Sequence, residues 1–413
     1  MLQPHSLKGV VSLNRLVARL TDMDLDKLMK LKLEDAECRE MSNEYFLTKL
    51  VRAKLRTVSL LTTFEETVQK STAKALGIIW AENFTLNIPE LMDREKCMNA
   101  MKEDLRKHGE EIEKTHRNPL IPLSLSEEKG LNSIKKRENQ PCLCVAAGPS
   151  IHEHGHIKML AERGWKGPVL TTDRMLRPLL EAGVSPANGF DLICANVDGH
   201  RVIIPRFFKD DEGRPLKADG VTGMFVSSTA PQTIEAAKAA GMSVHWFHGM
   251  LDNFDVEGSY TNWMNKMVAV PCIAAGGNVG ATCLVLALYI WCNPIVYIGL
   301  DLGYTPDTPI EETAYYHTFS EKGATVEQML TIFSEGFNPD FGVAYKQDIV
   351  FNGYTASLLG MIETRQYEAE YKKGQPGMYP VEVISATEGG ALHHPTLVKG
   401  MKFSQALDLY GRN

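Results

Sequence analysis

The segment Pro141-Cys-Leu-Cys-Val-Ala-Ala-Gly-Pro-Ser150 decides how this chain is read. An apolar run ends here at a Gly-Pro break, and a polar stretch carrying His152, His154 and His156 follows. A short apolar run bounded in this way reads as a buried strand that stops at a tight loop. In open α/β sheets, ligands bind in the crevice beyond the carboxyl ends of the strands. Gly148 would let the backbone approach a ligand closely. A helix following Pro149 and Ser150 would turn its free N–H groups toward an anion. The three histidines read as surface residues, with metal binding the minor option.

Downstream the same alternation repeats. Further apolar strands are expected at 168–171, 192–196, 223–226, 243–247, 273–275 and 294–298, after the first at 142–146. Helical stretches at 174–182, 232–240 and 281–292 separate them. Such alternation calls for a mostly parallel sheet with right-handed crossovers, so the fold class is α/β. The part from 305 to 413 is less regular, with helices expected at 326–334 and 352–370 and a late strand at 381–385.

Upstream the signal is different. Residues 1–137 carry almost no strand pattern, and 13–33, 41–70 and 93–114 show apolar residues at helical spacing among many charges. Asn87-Ile88-Pro89-Glu90 reads as a capped helix start. Three parts are therefore expected: a helical N-terminal region to 137, a nucleotide-binding core over 138–304, and an irregular α/β section over 305–413 that completes the catalytic domain. The helical region is expected to pack as hairpins on the catalytic body or on a second subunit.

At 413 residues the chain has ample material for a large core, and 44% hydrophobic with 23% charged residues is ordinary for a globular protein. A net charge of −7 argues against a general nucleic-acid binder. The eight cysteines show no metal-ligand spacing and read as reduced, buried thiols. No secretory leader is visible over residues 1–19, and the apolar stretch 281–291 is too short to cross a bilayer, so a cytoplasmic location is expected.

The strand ends form a series: Gly148-Pro149-Ser150, Thr172-Asp173-Arg174, Asn196-Val197-Asp198-Gly199, Gly276-Gly277-Asn278-Val279-Gly280, and Asp301. Small and acidic residues thus gather at one edge of the inferred sheet. The glycine loop 276–280 suits a phosphate or a ribose, although it lacks the Lys-Ser/Thr of a P-loop and the dinucleotide glycine pattern. Asp173 and Asp198 suit a ribose, a base, or magnesium through carboxylate oxygen. Asp173 equally suits a helix cap, and Asp198-Gly199 suits a plain turn. Asp301 precedes Tyr304, Tyr315, Tyr316 and His317. A carboxylate, phenols and an imidazole can stabilise a departing phosphate and accept a hydroxyl proton. Glu388-Gly389-Gly390 follows the last strand, and its glycines again permit close approach.

These motifs carry a family resemblance. AAGPS at 146–150, TDRMLRPLLEAGVSP at 172–186, GGNVGAT at 276–282, YIGLDL at 297–302 and ATEGGA at 386–391 resemble the MptE-like family. That family joins archaeal 6-hydroxymethylpterin diphosphokinases to motility accessory factors, which are similar to nonulosonic acid transferases acting on flagellin. The resemblance covers 140–410 and implies a Rossmann-like fold. Its transferase branch implies a CMP-sugar donor, a protein or glycan hydroxyl as acceptor, and no required cofactor. Tyr304 with Tyr315 or Tyr316 would then steady the leaving phosphate, and His317 would act as base. Its kinase branch implies ATP and magnesium held by Asp173 and Asp198, with a pterin alcohol as substrate. The long helical region and the C-terminal section resemble the transferase-like members. A nucleotide-binding assembly protein without turnover is the third reading.

Overall fold

In the computed structural model of the chain, the described residues are 77–115, 129–252, 259–268, 270–274, 277–314, 316, 320, 325–330 and 332–412. The expected helices at 13–33 and 41–70, together with Gly276, Tyr315 and His317, lie outside them. A helix over 77–91 (α1) and α2 (Arg94–Thr115) precede the sheet. The strands are β1 (Cys142–Val145), β2 (Pro168–Thr172), β3 (Asp191–Asn196), β4 (Thr222–Val226), β5 (Ser243–Gly249), β6 (Cys272–Ile273), β7 (Ile295–Ile298), β8 (Phe333–Asn338), β9 (Val343–Asp348), β10 (Val383–Ser385) and β11 (Lys399–Gly400). The remaining helices are α3 (Ser150–Glu153), α4 (His156–Arg163), α5 (Asp173–Glu181), α6 (Pro231–Ala239), α7 (Tyr260–Met267), α8 (Val279–Tyr289), α9 (Val326–Leu330), α10 (Ile349–Tyr371) and α11 (Phe403–Tyr410).

Nine strands form one sheet in the order β11-β10-β7-β1-β2-β3-β4-β5-β6, and every neighbouring pair runs parallel. The fold is α/β, as the alternation requires. From β1 the chain steps outward through β2 to β6. It then returns to β7 on the other side of β1 and continues to β10 and β11. Connections leaving β1 and β7 therefore diverge, and a crevice opens at their carboxyl ends.

Both faces of the sheet are covered, which is why its strands read as continuous apolar runs rather than alternating ones. Leu143, Val145, Val169, Leu192, Val296 and Ile298 point into one core, with Leu160 of α4, Leu176 and Leu179 of α5, and Phe403 and Leu407 of α11. Alternate residues face the opposite side, where α8 packs on β1, β2, β3 and β6. Its sequence, VGATCLVLALY, is apolar all round, as a helix buried on the sheet must be.

The chain separates into two compact units, one of Met1–Ala75, Gly360–Gly374 and Met378–Pro380, the other of Leu76–Leu359, Gln375–Gly377 and Val381–Asn413. The first includes the C-terminal half of α10, where the Arg365 guanidinium lies 5.9 Å from the Tyr379 ring centre. The second holds the sheet and every site residue discussed below.

Two expectations are corrected. The helix expected over 326–334 ends at Leu330, and 333–338 instead pairs antiparallel with 343–348. Ser334, Glu335 and Phe337 of that hairpin are exposed, so no apolar run announces the strand. Nor does Asn87 start a helix. α1 runs from 77 through Pro89 to 91, and the buried Asn87 amide donates to the carbonyls of Ser227 (3.0 Å) and Thr229 (2.8 Å). Those tertiary bonds outweigh the N–H that a proline withholds from the last turn. Among the described residues, no helix is long and apolar enough to cross a membrane.

Candidate functional site

The loops after β1, β7 and β10 are knitted together by backbone. Ala146 N–H donates to Ile298 O (3.0 Å), Gly148 N–H to Gly299 O (2.7 Å), and Ala391 N–H to Asp301 O (2.7 Å). Ser150 N–H, at the start of α3, donates to Asp301 Oδ2 over 3.1 Å. Glycine is required where they meet. A Cβ on Gly148 would lie 2.3 Å from Asp301 Oδ2 and 2.6 Å from Gly299 O, and one on Gly390 would lie 2.3 Å from Asp301 O.

The glycine-rich turn before α8 joins this place. Gly277 adopts φ +84°, and Asn278 caps the helix by accepting from Ala281 N–H at 2.9 Å. A Cβ on Gly280 would meet Leu300 at 2.6 Å and Ala146 at 3.7 Å, so the helix start rests on the β1 and β7 loops. Beneath it the buried Tyr297 hydroxyl donates to Gly280 O at 3.2 Å.

Buried polar atoms are normally hydrogen-bonded, and an exception calls for an explanation. Among the described residues, six buried side-chain atoms at the carboxyl edge of the sheet have no partner: Ser150 Oγ, Thr172 Oγ1, Asn278 Nδ2, Asp301 Oδ1, Ser385 Oγ and Thr387 Oγ1. Burial pushes the Asp301 carboxyl above its ordinary range, against donation from Ser150, and the nearby Glu153 adds to the rise. Hydroxyls, one amide and a carboxyl shifted toward its protonated form thus stand unsatisfied at the carboxyl edge of the sheet. A polar ligand there would supply the missing partners.

A second cluster lies beside it along the edge. Buried Asp173, at the start of α5, accepts from Arg174 N–H (2.7 Å) and from Asn196 Nδ2 (2.5 Å). Asn196 Oδ1 in turn accepts from the Thr229 hydroxyl at 2.7 Å. Burial raises Asp173 to about 6, opposed by the Asn196 and Arg174 donors and reinforced by the charge of Asp198. Asp198 is exposed and accepts from His200 N–H at 2.8 Å, closing a turn. Asp173 is therefore a contact to its own helix start and a member of the site edge together.

Other candidates are placed elsewhere. The Tyr304 hydroxyl donates to Asp348 Oδ2 (2.8 Å) and accepts from Ala314 N–H (3.1 Å), and burial raises its pKa. Asp348 itself caps α10 through the amides of Val350 and Phe351. Tyr316 is half-buried. Glu388 has φ +62°, and its carboxylate reaches His156 Nε2 (3.4 Å) and Phe403 N–H (3.0 Å). Gly389 and Gly390 present their carbonyls to the Asn338 amide at 3.5 and 3.0 Å. His152 and His154 are exposed, but His156 is fully buried against Phe403, which corrects the reading of all three as surface residues. Its apolar neighbours and Glu388 pull it inward. A depression of about 570 Å³ lies against α4, lined by Ile151, Lys158 and Glu162 among others, rather than at the crevice between β1 and β7.

Sequence reasoning missed Thr229, Ser385 and Thr387. The run Ser227-Ser228-Thr229 directly after the fourth strand was the available signal for the first. Among the described residues, no group of three or more His, Cys, Asp or Glu side chains is gathered to hold a metal ion.

Residues 123–307 match the sequence model of the family described as 6-hydroxymethylpterin diphosphokinase MptE-like. Over these residues the chain is similar to the MptE-like family. No curated protein matches the chain. The MptE-like residues include Ser150, Asp173, Asn196, Asp198, Asn278 and Asp301. Thr387 and Gly390 lie beyond them, so the C-terminal section supplies one wall of the crevice that the MptE-like part opens.

Proposed function

We propose that this MptE-like protein is a nucleotide-dependent transferase of the motility accessory factor type, moving a nonulosonic acid from a CMP-sugar to a protein or glycan hydroxyl, flagellin being one such acceptor. One observation carries the reading: the unsatisfied hydroxyls and carboxyl around Ser150, Asp301 and Thr387 at the crevice between β1 and β7. They offer neutral hydrogen-bond donors, which suit a single phosphate and a sugar better than a bare triphosphate. The Ser150 and Thr387 hydroxyls donate to phosphate oxygens, and burial shifts the Asp301 carboxyl toward its protonated form, which lessens its repulsion of a phosphate. The Ser150, Gly277 and Asn278 loops hold phosphate and ribose, and Asp173 with Asn196 holds ribose or base. In the reaction, the acceptor oxygen attacks the anomeric carbon as its bond to the phosphate breaks. CMP leaves with the electron pair, and the acceptor proton passes to a base, for which His317 is the candidate, with Tyr315 and Tyr316 steadying the phosphate. This reading requires no cofactor.

A second reading, diphosphoryl transfer from ATP to a pterin alcohol, is favoured by Asp173 and Asp198. Burial raises Asp173 and the charge of Asp198 adds to the rise, and a hard divalent cation beside both would relieve that repulsion. These two carboxylates therefore fit magnesium, which would neutralise charge on the transferred phosphates. Calorimetry with CMP and with ATP, each with and without magnesium, separates the readings. Metal-independent CMP binding is expected, and magnesium-dependent binding of ATP alone would replace the transferase with the kinase. Binding of a nucleotide without turnover of any donor would leave an assembly protein.

A further inference from the structure

α1 stands outside the family-matched residues, yet it grips the site. Asn83 and Asn87, four residues apart, lie on one face of the helix and are both buried. Asn83 Nδ2 donates to Gly199 O (2.9 Å) and Ser228 O (3.0 Å). Asn87 Nδ2 donates to Ser227 O (3.0 Å) and Thr229 O (2.8 Å). Arg201 Nε donates to Asn83 Oδ1 at 2.9 Å, which fixes the orientation of that amide. Asn83 thus ties the loop after β3 to the loop after β4, and Asn87 pins the β4 loop to α1. Gly199 is where they close, since a Cβ there would lie 2.8 Å from Ser228 O and 2.9 Å from the Trp80 ring.

From the clamped loop a line of side-chain bonds runs to the site. Thr229 Oγ1 donates to Asn196 Oδ1, and Asn196 Nδ2 donates to Asp173 Oδ2. An ionised carboxylate only accepts, so Asn196 must turn its amide nitrogen toward Asp173 and its oxygen toward Thr229. Asp173 sets that orientation, and the Thr229 hydroxyl holds the amide in place by donating to its oxygen. All three intermediates, Thr229, Asn196 and Asp173, are buried, where an amide facing the wrong way would leave two groups unpaired.

We propose that Thr229, held by Asn87 of α1, is a positioning residue that fixes Asp173 for nucleotide binding through Asn196, and that α1 is thereby a working part of the site. The proposal rests on the reading of Asp173 as a nucleotide contact. The full chain is titrated by calorimetry with CMP and with ATP plus magnesium, and folding is followed by thermal unfolding. Thr229→Val keeps the shape and removes the hydroxyl, so nucleotide binding is expected to weaken at least about tenfold. Thr229→Ser restores the hydroxyl and is expected to bind within about threefold of the parent. Asn87→Ala, which leaves every side chain of the line intact, is expected to weaken binding in the same direction. It stands in should Thr229→Val fail to fold. Asp173→Asn is the reference arm. If it loses binding while Thr229→Val and Asn87→Ala do not, the positioning role is overturned and the nucleotide reading survives. If Asp173→Asn binds both nucleotides as the parent does, the assignment of Asp173 falls, and the role of Thr229 with it.

Discussion

Ser150 and Asp301, 151 positions apart in sequence, are joined by an amide-to-carboxylate bond of 3.1 Å at the ends of two adjacent strands. That bond spans the boundary where the chain changes direction across the sheet. It leaves the second carboxyl oxygen unpartnered, and that oxygen is the one proposed above to face the phosphate.

The close approach at this bond makes Gly148 intolerant of any side chain. Gly148→Ala forces a methyl group to 2.6 Å from the Gly299 carbonyl, and backbone cannot step aside as a flexible side chain can. A stability loss of about 1–3 kcal/mol is expected by thermal or denaturant unfolding. Loss of nucleotide binding should accompany it, because Asp301 is displaced. Parent-like affinity in a folded Gly148→Ala protein would remove this loop from the site.

Asn278 separates capping from ligand contact. Asn278→Ala deletes the cap of α8 and is expected to cost about 1 kcal/mol. Asn278→Asp retains an acceptor for Ala281 N–H and suits the positive end of the helix, so its stability should match the parent. It lacks the unpaired Nδ2 donor and brings a negative charge to a phosphate site. Nucleotide affinity is expected to fall about tenfold or more in calorimetry while the unfolding midpoint stays put.

Asp173 and His248 predict a compensated pH profile. Asp173 is raised by burial from 3.8 to about 6. Between these values the folded state holds a proton that the unfolded state has lost, so stability falls as pH rises. His248 is lowered by burial from 6.5 to about 4. In its window the unfolded state holds the extra proton, so stability rises with pH. Each contribution is about 3 kcal/mol at roughly 1.4 kcal/mol per pKa unit, and between pH 4 and 6 they oppose. Chemical denaturation across that range tests this. Relative to the parent, Asp173→Asn should gain stability progressively from pH 4 to 6, and His248→Gln should lose it. Parallel curves for parent and variants would show that neither group titrates as stated.

The sheet was legible because its strands are buried on both faces. Each therefore appears as a short run such as Cys142–Val145 or Ile295–Ile298, closed by glycine or a small polar residue. Element edges moved by one to three residues, as hydrogen bonding rather than composition sets them. The hairpin 333–338/343–348 was not legible, since Ser334, Glu335 and Phe337 face outward and no apolar core selects a period. At the site, acids and glycines were legible by position, whereas Thr229, Ser385 and Thr387 were not. A buried hydroxyl without a partner looks in sequence like any other serine or threonine. Asn87 misled because an asparagine before Ile-Pro signals a cap locally, and only the carbonyls of Ser227 and Thr229 reveal its other use.

β10 and β11, late in the chain, flank β7 on the side away from β1. β10 binds β7, and the Thr387–Ala391 loop seals Asp301 from above, yet both come more than eighty residues after β7 in the chain. A polypeptide still emerging from the ribosome can therefore assemble β1 to β7 while its crevice stays open on one flank. The crevice closes on that flank only once residues 383–391 have joined β7 and Asp301.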